Sequence, residues 1–300
     1  MQDKIDYNRR QAAKYGWTPL HFHADNFDEL LIDAIRMFQI EHGLTADGMC
    51  GPSTYRRLWT KIESTAQYIP SPDVQIGDKY IVHNAQQVEI FWDKVLLWTD
   101  EGGKKATKYT SMAGQPERDI SMFVSHWDVC LNSSSCYNVL EQRGLSVHFG
   151  IDNDGTIHQW LDTQHIAYHA GKRKNPHVVG VEISNAYYPK WQKWYEKKGF
   201  GKRPVHRHVK IHDETLEPYL GFYDVQVEAL AALWEAVSFA CGIPLQLPAE
   251  DHKIDNDVLQ NKFTGFINHY HFTAHKIDCA GLDNQAVLDW AKQLRALRSI

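Results

Sequence analysis

The stretch LSVHFGIDNDGTIHQWL, residues 145–161, constrains the fold most. Two short runs rich in β-branched and aromatic residues flank Asn153-Asp154-Gly155, a turn signal that joins antiparallel neighbours as a hairpin. Further apolar runs, MFVSHWDV (122–129), HVVGVEISN (177–185) and FTGFINH (263–269), read as strands, and KYIVHNAQQVEIFW (79–92) as one or two more. Helical spacing is strongest in DVQVEALAALWEAVSFACGIP (224–244), where Leu230, Leu233, Ala236 and Val237 share a face. Asp224 is placed to cap that helix, and Gly242 and Pro244 to end it. NQAVLDWAKQLRAL (284–297) reads as a last helix. Strands mixed with helices over some 220 residues predict an α/β domain with one central mixed β-sheet flanked by helices.

Composition excludes several classes. Three hundred residues exceed one small domain, and 43% apolar and 12% aromatic residues support a core. A net charge of -5 is no footprint for nucleic-acid binding. No run of 18 apolar residues exists, so no membrane span is expected. The opening residues lack the apolar stretch of a secretory signal, so synthesis in the cytoplasm without one is expected. The five Cys are scattered and odd in number, which argues for a reducing compartment over a disulfide framework. Whether Cys130 and Cys136 pair across a loop stays open.

Residues 26–59 form a separate pattern. Leu30, Leu31, Ala34, Ile35 and Phe38 recur at helical spacing. Gly43 suits a left-handed helix end, Asp47-Gly48 a turn, and Pro52 the start of a second helix through Arg57 and Leu58. Ala34, Phe38, Gln39, Gly43, Leu44, Asp47, Gly48, Gly51, Pro52, Thr54 and Leu58 resemble the peptidoglycan-binding domain 1 motif. That resemblance implies a small all-α, three-helix cell-wall-binding domain over 1–62. A linker over 63–79 and a catalytic domain over 80–300 follow. The basic, aromatic segment 188–221 fits neither periodicity; it is either functional or a solvated insertion.

The chemistry concentrates in NHYHFTAHKIDCAG, residues 268–281. His269 ends one apolar run, His126 ends another, and Asp278 lies nine residues beyond His269. Two imidazoles with a carboxylate or thiolate make a catalytic zinc set with one position left open. Taken singly, each of the 17 His is more often a surface or core residue.

Six ordered motifs then resemble the zinc-dependent N-acetylmuramoyl-L-alanine amidases of the amidase-2 type, which share a fold with peptidoglycan recognition proteins. They are His126; Ser146, His148, Phe149, Ile151, Asp154, Gly155 and Ile157; His169, Ala170 and Gly171; Gly180, Val181, Glu182, Ile183 and Asn185; Gln226, Ala229, Leu230 and Leu233; and His269, Lys276, Asp278 and Gly281. The resemblance implies Zn²⁺ on His126, His269 and Asp278. It implies Glu182 as general base and Lys276 at the oxyanion, with His148, His169, Ala170, Gly171 and Asn185 binding substrate. Two departures leave a register question: Asn268 replaces the usual Gly, and the spacing to Asp278 is slightly off. His269 and Asp278 are preferred, with His271 and Cys279 as alternatives. Val147 stands where some members carry a catalytic Tyr, and Glu182 has an alternative role as an ion-pair partner within the sheet. His271 and His275 are expected to be exposed or at a groove rim.

The expected function is hydrolysis of the amide between the lactyl group of N-acetylmuramic acid and L-alanine in bacterial peptidoglycan, by a monomeric phage endolysin acting on the wall. A muropeptide-recycling amidase, a non-catalytic peptidoglycan receptor and another zinc hydrolase are the alternatives.

Overall fold

The computed structural model describes residues 1–66 and 80–298; most of the expected linker lies outside them. The chain divides into two compact units, Met1–Tyr68 with Asn138–Gly144, and the remainder.

The first unit is helical. α1 (Gln2–Tyr15) ends at left-handed Gly16, and a 3-10 turn, Pro19–Phe22, precedes α2 (Glu29–Glu41) and α3 (Pro52–Thr65). Asp28 caps α2 by accepting the Leu31 N–H, and Pro52 opens α3. The α2 face that enters the core holds Leu31, Ile32, Ile35 and Phe38. Leu30, expected there, is exposed instead, because the helix turns Ile32 inward in its place. The turn is held by Gln39, which donates to Asp47 Oδ1 and Thr54 Oγ1 and accepts the Gly48 N–H. Gly48 has φ +74°, and a Cβ there would stand 2.6 Å from Ile32 Cγ2, so the turn requires glycine. α3 continues to Thr65, into the stretch expected to be linker.

The second unit is a mixed sheet. Its strands are β1 (Tyr80–His83), β2 (Gln86–Glu89), β3 (Val95–Leu97), β4 (Tyr109–Thr110), β5 (Met122–Trp127), β6 (Phe149–Ile151), β7 (Ile157–Gln159), β8 (Ile166–Ala167) and β9 (Val178–Ile183). β10 (Val205–His206), β11 (Lys210–Ile211), β12 (Glu214–Thr215), β13 (Tyr219–Leu220) and β14 (Gly265–Asn268) follow. Six form the central sheet in the order β14-β5-β9-β6-β7-β3. β14, β5, β9 and β6 run parallel, and the hairpin read from Asn153-Asp154-Gly155 supplies the antiparallel β6–β7 pair. α4 (Ser133–Arg143) is divided between the two units at Asn138, and the helices wholly in the second are α5 (Gln192–Lys197), α6 (Asp224–Cys241), α7 (Asn256–Leu259) and α8 (Asn284–Arg298).

Strand alternation sorts the two faces of the sheet. Phe123, Val179, Val181, Ile183 and Phe266 join the large core with α6 and α8. Trp234 of α6 is fully buried there, its ring 4.6 Å from that of Phe266. α8 is tied to α6 by Glu235, fully buried and paired with Arg295 at 2.7 Å and Arg298 at 2.6 Å. Met122, Val124, Val178 and Ile267 face the other way, into a smaller cluster with Val258 and Phe272. His126 and Glu182 have the parity of this second set. α6 is capped by Tyr223, not Asp224: Tyr223 is extended, its N–H donates to Gln226 Oε1, and Asp224 is already the first helical residue. Among the described residues no helix is long and apolar enough to cross a membrane.

Segment 188–221 is exposed along much of its length but is anchored to the fold by buried residues. Arg203 is buried between the rings of Tyr195 and Tyr223, each 4.3 Å from its guanidinium, and donates to Asn153 Oδ1, Ser184 O, Gln226 Oε1 and Gly221 O. Tyr195, Ile211, Tyr219 and Leu220 are buried as well. All five Cys are free thiols, Cys130 and Cys136 included.

Candidate metal centre

Two neighbouring parallel strands and one loop build the centre. β5 delivers His126 near its end, and β14 is paired so that Asn268 lies beside Ser125. His269, the next residue, opens a 3-10 turn at the end of β14. The loop then returns, and Tyr270 N–H donates to Asp278 O at 3.3 Å. Three donor atoms converge: His126 Nδ1 and His269 Nδ1 lie 2.9 Å apart, and Asp278 Oδ2 lies 3.1 Å from the first and 3.0 Å from the second. His126 and Asp278 are buried and His269 is partly so.

The electrostatics suit a cation. Burial, with His269 beside it, lowers the pKa of His126 and keeps the ring neutral. Burial alone would push Asp278 up, but the adjacent imidazoles outweigh it and hold the carboxyl well below its ordinary range. Two imidazole nitrogens and a carboxylate oxygen, each a possible metal ligand, thus meet within hydrogen-bonding distance of one another. A tetrahedral zinc with bonds of about 2.0–2.2 Å sets ligand atoms about 3.3–3.6 Å apart. The observed triangle needs only a few tenths of an ångström of expansion to fit it.

Glu182 is the Cα partner of His126 across β5–β9, so the two side chains leave the same face of the sheet side by side. On its other flank the partner is Gly150. A Cβ at Gly150 would be 2.5 Å from the Trp160 ring, so this position stays bare beside the carboxylate. Lys276 is half-buried on the loop, and its carbonyl lies 3.1 Å from His212 Nε2.

His169 backs the cluster, with Nδ1 3.0 Å from His126 Nε2. Its ring lies over Gly180, where a Cβ would come within 2.3 Å of His169 Cε1. The loop that carries it is pinned by Asn175 Oδ1, which accepts the N–H groups of His169 and Ala170. Gly171 takes φ +82° and is exposed. Of the residues expected to touch substrate, two are instead spent inside the fold. His148 is fully buried, accepts the Gly180 N–H on Nδ1 and donates from Nε2 to His165 O. Asn185 is fully buried, donating to Leu220 O and accepting from Tyr187 N–H. His271, expected near the surface, is buried too, and accepts the Asn268 N–H. It is not among the three residues whose donor atoms converge. Cys279 is fully buried, and burial, with Asp278 next to it, raises its thiol pKa well above the ordinary value.

Sequence reasoning missed Arg118 and Asn175. The Arg118 guanidinium is buried and donates to the carbonyls of Thr163, Asn175, Pro176 and Val178, fixing the approach to β9. Neither residue stands in a motif or at a strand end, so no local signal marks it.

Residues 116–278, more than half of the chain, match the family described as N-acetylmuramoyl-L-alanine amidase. The chain belongs to that family. Residues 13–58 of the amidase match a putative peptidoglycan binding domain. The amidase reaction and a peptidoglycan substrate come with these matches. Among solved structures, the amidase is similar to the N-acetylmuramoyl-L-alanine amidase LysC from Clostridium intestinale. The two share 16% identity over 67% of this chain and 97% of that one, with a TM-score of 0.37. It is also similar to the Staphylococcus aureus hydrolase AmiA in complex with its ligand, at 13% identity over 69% and 84%, with a TM-score of 0.39. Likenesses this distant carry no argument beside the family match. Among curated proteins no match is found.

His148 makes the amidase acid-sensitive. Burial, then the Arg118 charge, lowers its pKa to about 3. An unfolded His takes a proton near about 6.5. Between those values the unfolded chain binds the extra proton, so stability falls as pH drops. The His148 share of that fall from pH 7 to pH 5 is about 2 kcal/mol. Urea unfolding of metal-free protein at both pH values should show a shallower decline for His148→Gln than for wild type. Equal declines would remove His148 as the cause.

Proposed function

We propose that the amidase is a zinc enzyme that cleaves the bond between the lactyl carbonyl of N-acetylmuramic acid and L-alanine, with His126, His269 and Asp278 as the metal's ligands. One observation carries this reading: three donor atoms, two of them on buried residues, meet within about 3 Å of one another beside a carboxylate on the same sheet face. Zinc supplies a Lewis acid and lowers the pKa of water toward about 7. Glu182 takes the proton from the attacking water and returns it to the departing amine of L-alanine. Lys276 sets its ammonium against the carbonyl oxygen as that oxygen becomes negative. His126 holds its Nδ1 bare by donating from Nε2 to His169, which fixes both tautomer and ring orientation.

The amino-terminal unit, over roughly the first 62 residues, holds the enzyme on the polymer and raises its local concentration there. A polymer-binding unit suits an endolysin acting on intact wall better than a recycling enzyme acting on small soluble fragments.

Purified sacculi incubated with the enzyme should lose turbidity and gain L-alanine amino termini. A chelator should stop this, and added zinc restore it. Clearing that releases reducing sugar without amino termini, or that ignores the chelator, would overturn the reading.

The His169 contact adds a prediction. His169→Leu, which fills the space but accepts no hydrogen bond, should weaken zinc binding about 10–100-fold. His169→Asn, whose amide oxygen replaces Nδ1, should recover most of it. Competition against a chromogenic chelator measures both, and unchanged affinity in the Leu variant would remove the proposed role.

A further inference from the structure

The amino-terminal helix α2 has a second apolar face that the core does not use. Leu30, Ala34, Met37 and Ile40 follow one another at spacings of four, three and three residues, which makes a single stripe. Leu30, Met37 and Ile40 are 74%, 67% and 62% exposed. A helix in a small unit ordinarily turns polar residues outward, and a contiguous exposed apolar patch marks a binding surface. Here the stripe borders a groove of about 470 Å³ between the 3-10 turn and α2. That volume is in the range of small-ligand sites.

The lining has a definite chemistry. Phe22 and Phe38 are buried, with ring centroids 5.3 Å apart edge to face. Lys61 reaches over from α3, with Nζ 5.6 Å from the Phe38 ring centroid, and among the described residues it makes no ion pair. Glu41 also lines the groove, as do His21 and His23. The site therefore offers apolar surface with an ammonium, a carboxylate and two imidazoles at its edges. A glycan strand offers hydroxyls and acetamides but no free cation. A peptidoglycan stem peptide offers alanine methyl groups, free carboxylates and the side-chain amine of its diamino acid.

We infer that this groove binds the stem peptide of peptidoglycan, with Met37 and Ile40 against its methyl groups, Lys61 on a carboxylate and Glu41 on the amine. The inference rests on the wall-binding reading of the amino-terminal unit and names the site and the part of the polymer that it takes.

The test uses the full chain with a chelator present, so that the polymer is not consumed, and measures co-sedimentation with insoluble sacculi. Met37→Glu and Ile40→Glu change exposed positions and should leave folding intact. Each should weaken binding about 10-fold or more. Turnover of soluble muropeptide, measured with zinc, should not change. Lys61→Met keeps the contact with Phe38, loses the charge, and should also bind less. Free tripeptide of L-alanine, D-glutamate and a diamino acid should release the wild-type protein, and N-acetylglucosamine oligomers should not. Wild-type binding by both Glu variants, or release by the sugar oligomers alone, would overturn the groove assignment. If the wild-type chain itself does not sediment with sacculi, the wall-binding reading falls first and the groove loses its ligand with it.

Discussion

A His126→Ala protein is expected to contain no zinc and to show no turnover above background. Two donors are left, and they cannot hold a metal that needs three protein ligands with one position open. The loss also takes one of the two imidazoles beside Asp278 Oδ2. Metal analysis of the purified variant checks the first point and release of L-alanine amino termini the second. Near-ultraviolet circular dichroism reports whether the fold survives. A folded variant that keeps a full equivalent of zinc would sink the ligand assignment. Asp278→Ala should behave alike. Cys279→Ala should keep both metal and activity, because its thiol is held protonated in the interior.

Glu182→Gln is expected to keep the metal and lose the chemistry. Removing a general base typically costs on the order of 10²–10⁴-fold in rate. The amide replaces the carboxylate atom for atom, so strand pairing with His126 and Gly150 stays in place. Lys276→Ala should cost about 10²–10³-fold, as for one oxyanion-stabilising group. Affinity for intact muropeptide should move far less in both, because the attacked carbonyl carries little charge before reaction. Turnover, bound zinc and substrate affinity should be read on the same preparations. Wild-type turnover in Glu182→Gln would place the base elsewhere, with His169 the first group to test. Zinc loss in Lys276→Ala would mean that the lysine supports the Asp278 loop instead of the reaction.

The elements with a strong local period were legible in the sequence. The hairpin at Asn153-Asp154-Gly155, the strands carrying His126 and Glu182, and helices α6 and α8 all stand where their patterns put them. Segment 188–221 was not legible, because its pieces are too short to show any period: α5 has six residues, and β10 to β13 have two each. Its order comes from Arg203, whose hydrogen-bond partners lie 18 to 50 residues away. His148, Asn185 and His271 were misread for a related reason. A polar residue in a motif can serve the fold or the ligand, and only burial and partners separate the two. Asn185 accepts one backbone N–H and donates to a carbonyl, and none of that is written in its neighbours.

The two imidazoles at the centre are 143 residues apart in the chain, and Asp278 is 152 residues from His126. β5 is an interior strand of the central sheet, whereas its neighbour β14 is the last strand in sequence and an edge strand in space. During synthesis the sheet can begin to assemble around β5, β6 and β9 long before β14 leaves the ribosome. No amino-terminal fragment ending before Asp278 contains the third donor, however well the rest of it folds. Pairing over such a separation is also slow, since the loop must close before any contact rewards it. A growing chain therefore lacks the third member of the His126, His269 and Asp278 cluster until Asp278 itself has been made.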